Sequence, residues 1–364
     1  MPRPTTATIH GDALRHNLAQ MRRRAPGSRV MAVVKADAYG HGIERAARAL
    51  AGADAFGVAM LEDARRLRAL GLDQPILLLA GFNAAGDLPE VRHLRLDVAV
   101  HHASQLEILE QDGGGPPIRC WLKVDSGMHR LGFPPGQVRE AHARLSALPG
   151  VDDAIVLMNH FASSDEFGGV QTREQLRVFE ACTAGLPGPR SLANSAAVLG
   201  WPESHADWIR PGGALYGMSV VAGRTGADFG LRPAMTLATG LLAVNRACRG
   251  DAVGYSGTWT CPEDMAIGIA AAGYGDGYPR HAPSGTPVLV DGRPATVVGR
   301  VSMDLMAIDL RGHPGARPGD PVTLWGEGLP VETVAEPAGT IGYELTCSVT
   351  RRVRFRDGAG RNPG

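Results

Sequence analysis

From about residue 30 to about residue 215 the chain alternates short apolar runs with longer segments of helical period, and this alternation restricts the fold more than any other feature. The runs are Val30–Val34, Ala55–Ala59, Ile76–Leu79, Leu96–Val100, Ile118–Val124, Ala154–Met158, Arg190–Ala193 and Trp208–Arg210. Between them, "IERAARALAG", "LEDARRLRALG" and "QTREQLRVFEACTAG" place apolar residues three to four apart, with arginine and glutamate on the other face. Strands that alternate with helices form parallel β/α units. The runs read as seven or eight strands, and eight beginning with a strand make a closed (β/α)8 barrel.

Beyond about Leu231 the period changes. "VLVDGRPATVVG" carries a hairpin signal, with Asp291-Gly292 as its tight turn, and "PGDPVTLWG" reads as a turn followed by a strand. The expectation is therefore an α/β chain: a barrel over residues 8–230, then a mostly β domain over residues 231–364. The N-terminal residues 1–7 add a strand to the second domain, in the stretch "TATIH". A length of 364 residues suits this division, since a domain usually takes roughly 100–200 residues and an α/β barrel about 250.

Composition excludes several classes of function. Lys plus Arg and Asp plus Glu balance at 37 each, which argues against a nucleic-acid or acidic-membrane partner. The five cysteines lie far apart with no C-x-x-C pair, a poor disulfide framework that fits a reducing compartment. "MPRPTTATIHGDAL" lacks the apolar core of a signal peptide, and no run of about 18 apolar residues exists to span a membrane. A cytoplasmic protein is expected, and nothing in the motifs calls for a metal.

Barrel sites form at the C-terminal ends of the strands. After the first run come Lys35 and Tyr39, after the fifth Lys123, Asp125 and Arg130, and after the sixth Asn159-His160. Asn194-Ser195 follow the seventh run, and Arg210, Gly212 and Gly213 the eighth. Singly each has a plain explanation: Lys35 an edge charge, Arg210 a partner for Asp207, Ser195 a helix N-cap. Together they collect polar groups at one rim. A lysine in an apolar mouth has its charged form disfavoured and can form a Schiff base. Glycines and serine at strand ends offer N–H and hydroxyl donors to a phosphate. A Schiff-base lysine with a phosphate cradle on a barrel points to pyridoxal 5′-phosphate (PLP).

The blocks "AVVKADAYGHG", "WLKVDSGMHRLGF", "MNHFASSD", "ANSAAVL", "IRPGGALYG", "VGYSGTWT", "AAGYGDGYPR", "GRVSMDLMAIDL" and "GYELTCSVTRRV" together resemble the bacterial alanine racemases, in that family's order and over nearly the whole chain. The resemblance implies a PLP barrel followed by a β domain, and interconversion of L- and D-alanine by two bases on opposite faces of the substrate. Lys35 would carry the cofactor and serve as one base, and Tyr255 in "VGYSG" would be the other. Tyr39, Ser195, Gly212, Gly213 and Tyr343 would hold the phosphate, with Asn194 orienting Ser195. Arg210 would face the pyridine nitrogen and leave it unprotonated, and His160 would link Arg210 to Tyr255. Arg130 and the Met303 backbone N–H would hold the substrate carboxylate. Asp304, Tyr274 and Tyr343 would line the entrance. Lys123 matches a position that in similar enzymes can be carbamylated to steer Arg130, and an unmodified lysine stays open. The resemblance further implies a homodimer with shared active sites. The chain differs from PLP decarboxylases of the same domain plan, which place a carboxylate where Arg210 stands. It also differs from PLP carriers, which resemble the barrel alone. A role in wall synthesis and a role in alanine breakdown stay open, as does the turnover of serine or other small amino acids.

Overall fold

The computed structural model describes residues 4–358. Residues 1–3 of the expected N-terminal strand and residues 359–364 at the far end lie outside that range. The chain separates into two compact units, one holding Asn17–Ala38 and Gly42–Leu215, the other residues 4–16, Tyr39–His41 and residues 216–358.

Strand β1 (Thr6–Ile9) belongs to the second unit. The first unit is a closed barrel of eight parallel strands: β2 (Arg29–Val33), β3 (Ala55–Val58), β4 (Ile76–Leu78), β5 (Leu96–Val100), β6 (Cys120–Lys123), β7 (Val156–Met158), β8 (Arg190–Ser191) and β9 (Trp208–Ile209). Pairing of β9 with β2 closes the ring. Each strand falls within one of the eight apolar runs or begins one residue ahead of it, because strands covered on both faces lack a polar alternation. The interior alternates large and small side chains. Trp121 and Trp208 tilt against each other with ring centroids 5.7 Å apart, and Met31, Ala55, Leu77, Ala99, Val156 and Met158 fill the space around them. Such layered filling makes the barrel a packed core and leaves the chemistry to its rim.

In the second unit β10 (Met235–Ala247) is the organising strand. Its first half pairs with β1 and its second half with β13 (Met265–Ala270). Between β10 and β13 lies a small hairpin of β11 (Ala252–Val253) and β12 (Trp259–Thr260). The remaining strands are β14 (Pro287–Val290), β15 (Arg293–Val298), β16 (Met306–Asp309), β17 (Pro321–Trp325) and β18 (Arg354–Asp357). Pairings β13–β16, β16–β15, β15–β14, β14–β17, β17–β10 and β10–β13 close six strands into a ring, and β1 and β18 extend it. The expected β14–β15 hairpin turns on Asp291 (φ 47°) and Gly292 (φ 72°). Two left-handed residues give a turn whose twist matches its strands.

Candidate active site

Lys35 sits just beyond the C-terminal end of β2 and is exposed. Helical hydrogen bonding runs from Lys35 to Gly40, but Ala36, Asp37, Ala38 and Tyr39 have φ of 54°, 52°, 56° and 54°. This turn is left-handed, a conformation that costs an L-residue roughly 1–2 kcal/mol. The sequence reading expects a turn here and does not anticipate its hand. The turn is held locally. The Asp37 carboxylate accepts from Ile43 N–H at 3.0 Å, and the Asp37 carbonyl accepts from Gly42 N–H at 2.9 Å. Strain of this kind gathers where a side chain must be aimed.

The other barrel candidates follow their strands as expected. Lys123 ends β6 and is buried. Its loop is stapled: Asp125 Oδ1 accepts three backbone N–H groups, from Gly127, Met128 and His129, each at 3.0 Å. Phe133 N–H returns to the Lys123 carbonyl at 2.8 Å, so the intervening Arg130 stands exposed on a tied loop. Burial pushes the Lys123 ammonium down to about 8, helped by the charges of Arg210, Arg130 and Lys35. Burial and the charges of Arg210, Lys123, Arg130 and Lys35 push His160 to about 3, so its imidazole is neutral. These shared effects place Lys35, Lys123, Arg130, His160 and Arg210 in one electrostatic cluster.

Arg210 is buried, and among the described residues it forms no ion pair. Its guanidinium donates to Ser191 Oγ (2.6 Å), the Asn159 carbonyl (2.6 Å) and the Leu192 carbonyl (3.4 Å). Desolvation lowers it to about 10, which leaves it protonated at neutral pH. Asp207 is engaged elsewhere, accepting from Arg190 N–H at 2.7 Å, so the simple pairing of Arg210 with Asp207 does not occur. No hydrogen bond joins His160 to Arg210. Ser191 and Asn159 thus fix the arginine. Asn159 was visible in the sequence as the neighbour of His160, whereas Ser191 carried no signal because it lies inside a strand.

Asn194, not Ser195, caps the short helix Ser195–Gly200, accepting from Ala197 N–H at 3.0 Å. Ser164 Oγ also donates to Asn194 Oδ1 at 2.9 Å. This frees Ser195 Oγ to accept from Gly212 N–H (2.8 Å) and Ala214 N–H (3.2 Å). With both N–H groups donating to its oxygen, the Ser195 hydroxyl is oriented to donate its own hydrogen.

In the second unit Tyr39 packs edge-on against Tyr343, centroids 5.3 Å apart, and against Tyr216 at 4.9 Å. Burial raises the Tyr39 pKa, so its phenol stays a donor. The short helix Gly342–Cys347, which bears Tyr343, approaches so closely that a Cβ on Gly40 would lie 2.0 Å from the Thr346 carbonyl oxygen. Tyr274, Met303 and Asp304 are brought together: Tyr274 N–H donates to the Ser302 carbonyl (3.0 Å) and Gly275 N–H to the Met303 carbonyl (2.8 Å). Arg352 bonds Asp304 and pairs with the buried Asp276 at 3.6 Å. Sequence reasoning missed Asp276 and Arg352 as the pins of this platform. Their signal lay inside the quoted "GYGDGY" and "TRRV". Tyr255 stands apart, 66% exposed at the tip of the β11–β12 hairpin, between Gly254 (φ 74°) and Ser256 (φ 63°).

Do these residues fit PLP? Arg210 and Lys123 are buried cations without carboxylate partners among the described residues, an arrangement stable only beside an anion or a strong acceptor. The Ser195 hydroxyl, which accepts from the Gly212 and Ala214 N–H groups, keeps its own hydrogen to offer a phosphate. The donor set fits.

Comparison with known proteins gives a consistent result. Residues 9–220 match the family model described as the alanine racemase N-terminal domain, and residues 234–356 match the alanine racemase C-terminal domain. An alanine racemase of Nitrosococcus oceani is 53% identical over 348 residues, covering 95% of this chain and 97% of the relative. A biosynthetic alanine racemase of Escherichia coli K12 is 49% identical, with 96% and 98% covered. The crystal structure of the biosynthetic alanine racemase from Pseudomonas aeruginosa superposes with a TM-score of 0.95 at 48% identity, covering 98% of this chain and all of the other.

Proposed function

The chain belongs to the alanine racemase family and interconverts L- and D-alanine with PLP; from that premise we propose how its own residues divide the work. PLP, when bound, supplies the electron sink that makes the α-hydrogen of the attached amino acid acidic. Lys35 holds the cofactor through Nζ and moves a proton at the α-carbon on one face. Tyr255 moves a proton on the other face through its phenol oxygen. Two bases remove the need for one group to cross the plane of the substrate, and each works from a fixed position.

When bound, the phosphate would be held by Tyr39, Ser195, Gly212, Gly213 and Tyr343, with Asn194 holding the turn that aims Ser195. Arg210 would face the pyridine nitrogen and keep its own proton, because a guanidinium gives it up reluctantly. His160 is neutral and so contributes no charge toward Tyr255. Its part there is that of a hydrogen-bonding link. Arg130 and the Met303 N–H bind the substrate carboxylate, and Lys123 positions Arg130. With a pKa of about 8, much of the Lys123 amine is neutral at mildly basic pH and open to carbamylation, which would turn a repulsive neighbour of Arg130 into an attractive one. Asp304, Tyr274 and Tyr343 line the way in.

Residues 8–230 make up the cofactor-binding part and residues 231–364, with the N-terminal strand, the part that supplies Tyr255. The working form is a homodimer whose sites are shared between subunits, in the cytoplasm. Among the described residues, no helix is long and apolar enough to cross a membrane. The name of the Escherichia coli relative supports a biosynthetic role, providing D-alanine for peptidoglycan.

The observation that carries the assignment is the strained turn that presents Lys35 among the charges of Arg210, Lys123 and Arg130. Borohydride treatment of the PLP-loaded protein followed by peptide mapping tests it. The expected result is one reduced adduct on Lys35, absent in Lys35→Ala. An adduct on another lysine in the wild-type protein would overturn the assignment.

A further inference from the structure

The second unit contains a cavity of about 270 Å³ that the racemase reading does not use. Its walls are mostly apolar and include Tyr216, Met218, Met235, Trp325, Val331 and Glu332. His41 and Thr346 add polar groups to that surface, and two further features mark it. Trp325 is fully buried, yet its indole N–H has no hydrogen-bond partner. Glu332 is half-buried, and among the described residues it has no cationic partner. One carboxylate oxygen accepts from Ser219 N–H (2.7 Å) and Gly226 N–H (3.0 Å), and the residue's own backbone N–H also donates to the carboxylate. Burial raises the Glu332 pKa, as expected of a carboxylate that lacks a cation.

A lone carboxylate in an apolar chamber walled by an indole and a phenol has the chemistry that recognises an organic ammonium ion. The carboxylate pairs with the charge, and the apolar walls take the hydrocarbon body. We propose that this cavity is a binding site for a small aromatic ammonium ion, anchored on Glu332 and packed against Trp325 and Tyr216. It is built wholly from residues of the second unit. The site also adjoins a part of the molecule with a use: Tyr216 packs against Tyr39 at 4.9 Å, and His41 against Tyr216 at 4.6 Å.

N,N-dimethylbenzylamine is a suitable probe, because a tertiary amine cannot condense with the cofactor aldehyde. Its binding therefore reports on the cavity and does not depend on which residues carry the racemase reaction. Calorimetric titration into the PLP-loaded enzyme should show saturable binding, one per subunit. The neutral N,N-dimethylbenzamide should bind at least tenfold more weakly. Glu332→Gln keeps an acceptor for the Ser219 and Gly226 N–H groups and removes the charge, and it should weaken the amine by tenfold or more while leaving the melting temperature and racemase rate near wild type. Ala227→Phe, an exposed position on the cavity wall, should block entry without disturbing the interior. Absence of saturable binding to the wild type would overturn the proposal, as would equal affinity in Glu332→Gln or unchanged binding in Ala227→Phe.

Discussion

Lys123 shows how a proposed functional position opposes the stability of the protein that carries it. Its ammonium, at about 8 in the folded chain against roughly 10.4 for a free lysine, holds its proton less tightly than it does unfolded. The sign follows. Below about pH 8 the charged amine works against folding, and the penalty fades as pH rises from about 8 toward 10.4. Lys123→Met should therefore stabilise the cofactor-free protein near neutrality, by about 1–3 kcal/mol. It should also flatten the rise in stability between pH 8 and 10, read by urea denaturation at several pH values. If Lys123 also positions Arg130, the same variant should raise the KM for alanine several-fold. Gly40 is under a different constraint. It combines a φ of 78° with a Cβ position only 2.0 Å from the Thr346 carbonyl oxygen. Gly40→Ala should cost more than about 2 kcal/mol, because neither the backbone of the turn nor that of the neighbouring helix has room to yield. The loss is expected in thermal melts, together with weaker retention of PLP as Tyr39 and Tyr343 move apart.

The elements differ in how far local chemistry determines them, and β5 illustrates both sides. Its apolar run marks it as a strand, yet it carries Asp97, buried and bonded to Trp121 Nε1 at 2.9 Å. Burial pushes that carboxyl up to about 6, against about 3.9 unfolded. An acid whose folded pKa is raised favours folding when protonated, so its contribution is complete below about pH 4 and is lost as pH rises through about 6. Asp97→Asn retains an oxygen for the Trp121 N–H and removes the charge. It should stabilise the protein at pH 7.5 by about 1–3 kcal/mol and have little effect at pH 4, measured by chemical denaturation at both. The eight barrel strands were legible because continuous burial writes an unbroken apolar run. The β14–β15 hairpin was legible because Asp291-Gly292 meets the conformational demand of its turn locally. The left-handed turn after Lys35 was not, since Ala36, Asp37, Ala38 and Tyr39 have no intrinsic preference for positive φ and are held there by contacts. Asn194 and Ser195 are both good caps, so which of them closes the helix is decided by the need of Gly212 and Ala214 for an acceptor. The closing of six strands into a ring rests on β10 pairing with β13 at one end and β17 at the other. Such non-local pairings leave no mark on a local pattern. At the site, groups proposed to touch ligands stood out by type and position, whereas groups that hold them, such as Ser191, Asp276 and Arg352, looked ordinary.

At the scale of the whole molecule, the proposed bases belong to different units of the chain, Lys35 to one and Tyr255 to the other. The second unit also leaves large side chains uncovered around its share of the site. Tyr255 is 66% exposed, Met303 52%, Leu305 38% and Tyr274 37%. Exposed apolar groups of this kind, fixed on a braced platform, suit a protein surface better than open water. A symmetric dimer in which each barrel mouth receives the partner's Tyr255 would cover them twice over, since a two-fold axis repeats every contact. It would also make each subunit inactive alone. The consequence is specific. Lys35→Ala spoils the site in its own barrel, and Tyr255→Ala spoils the site in its partner's. In a heterodimer of the two variants, both defects fall on one site and the other is intact. After complete exchange between equal amounts of the two inactive proteins, half of the dimers are mixed, so about a quarter of wild-type activity should return. Recovery should follow the time course of exchange, measured by native mass spectrometry with one variant isotopically labelled. Full exchange without recovered racemisation would place both bases in one subunit and remove the shared site, while leaving the proposed link of PLP to Lys35 untouched.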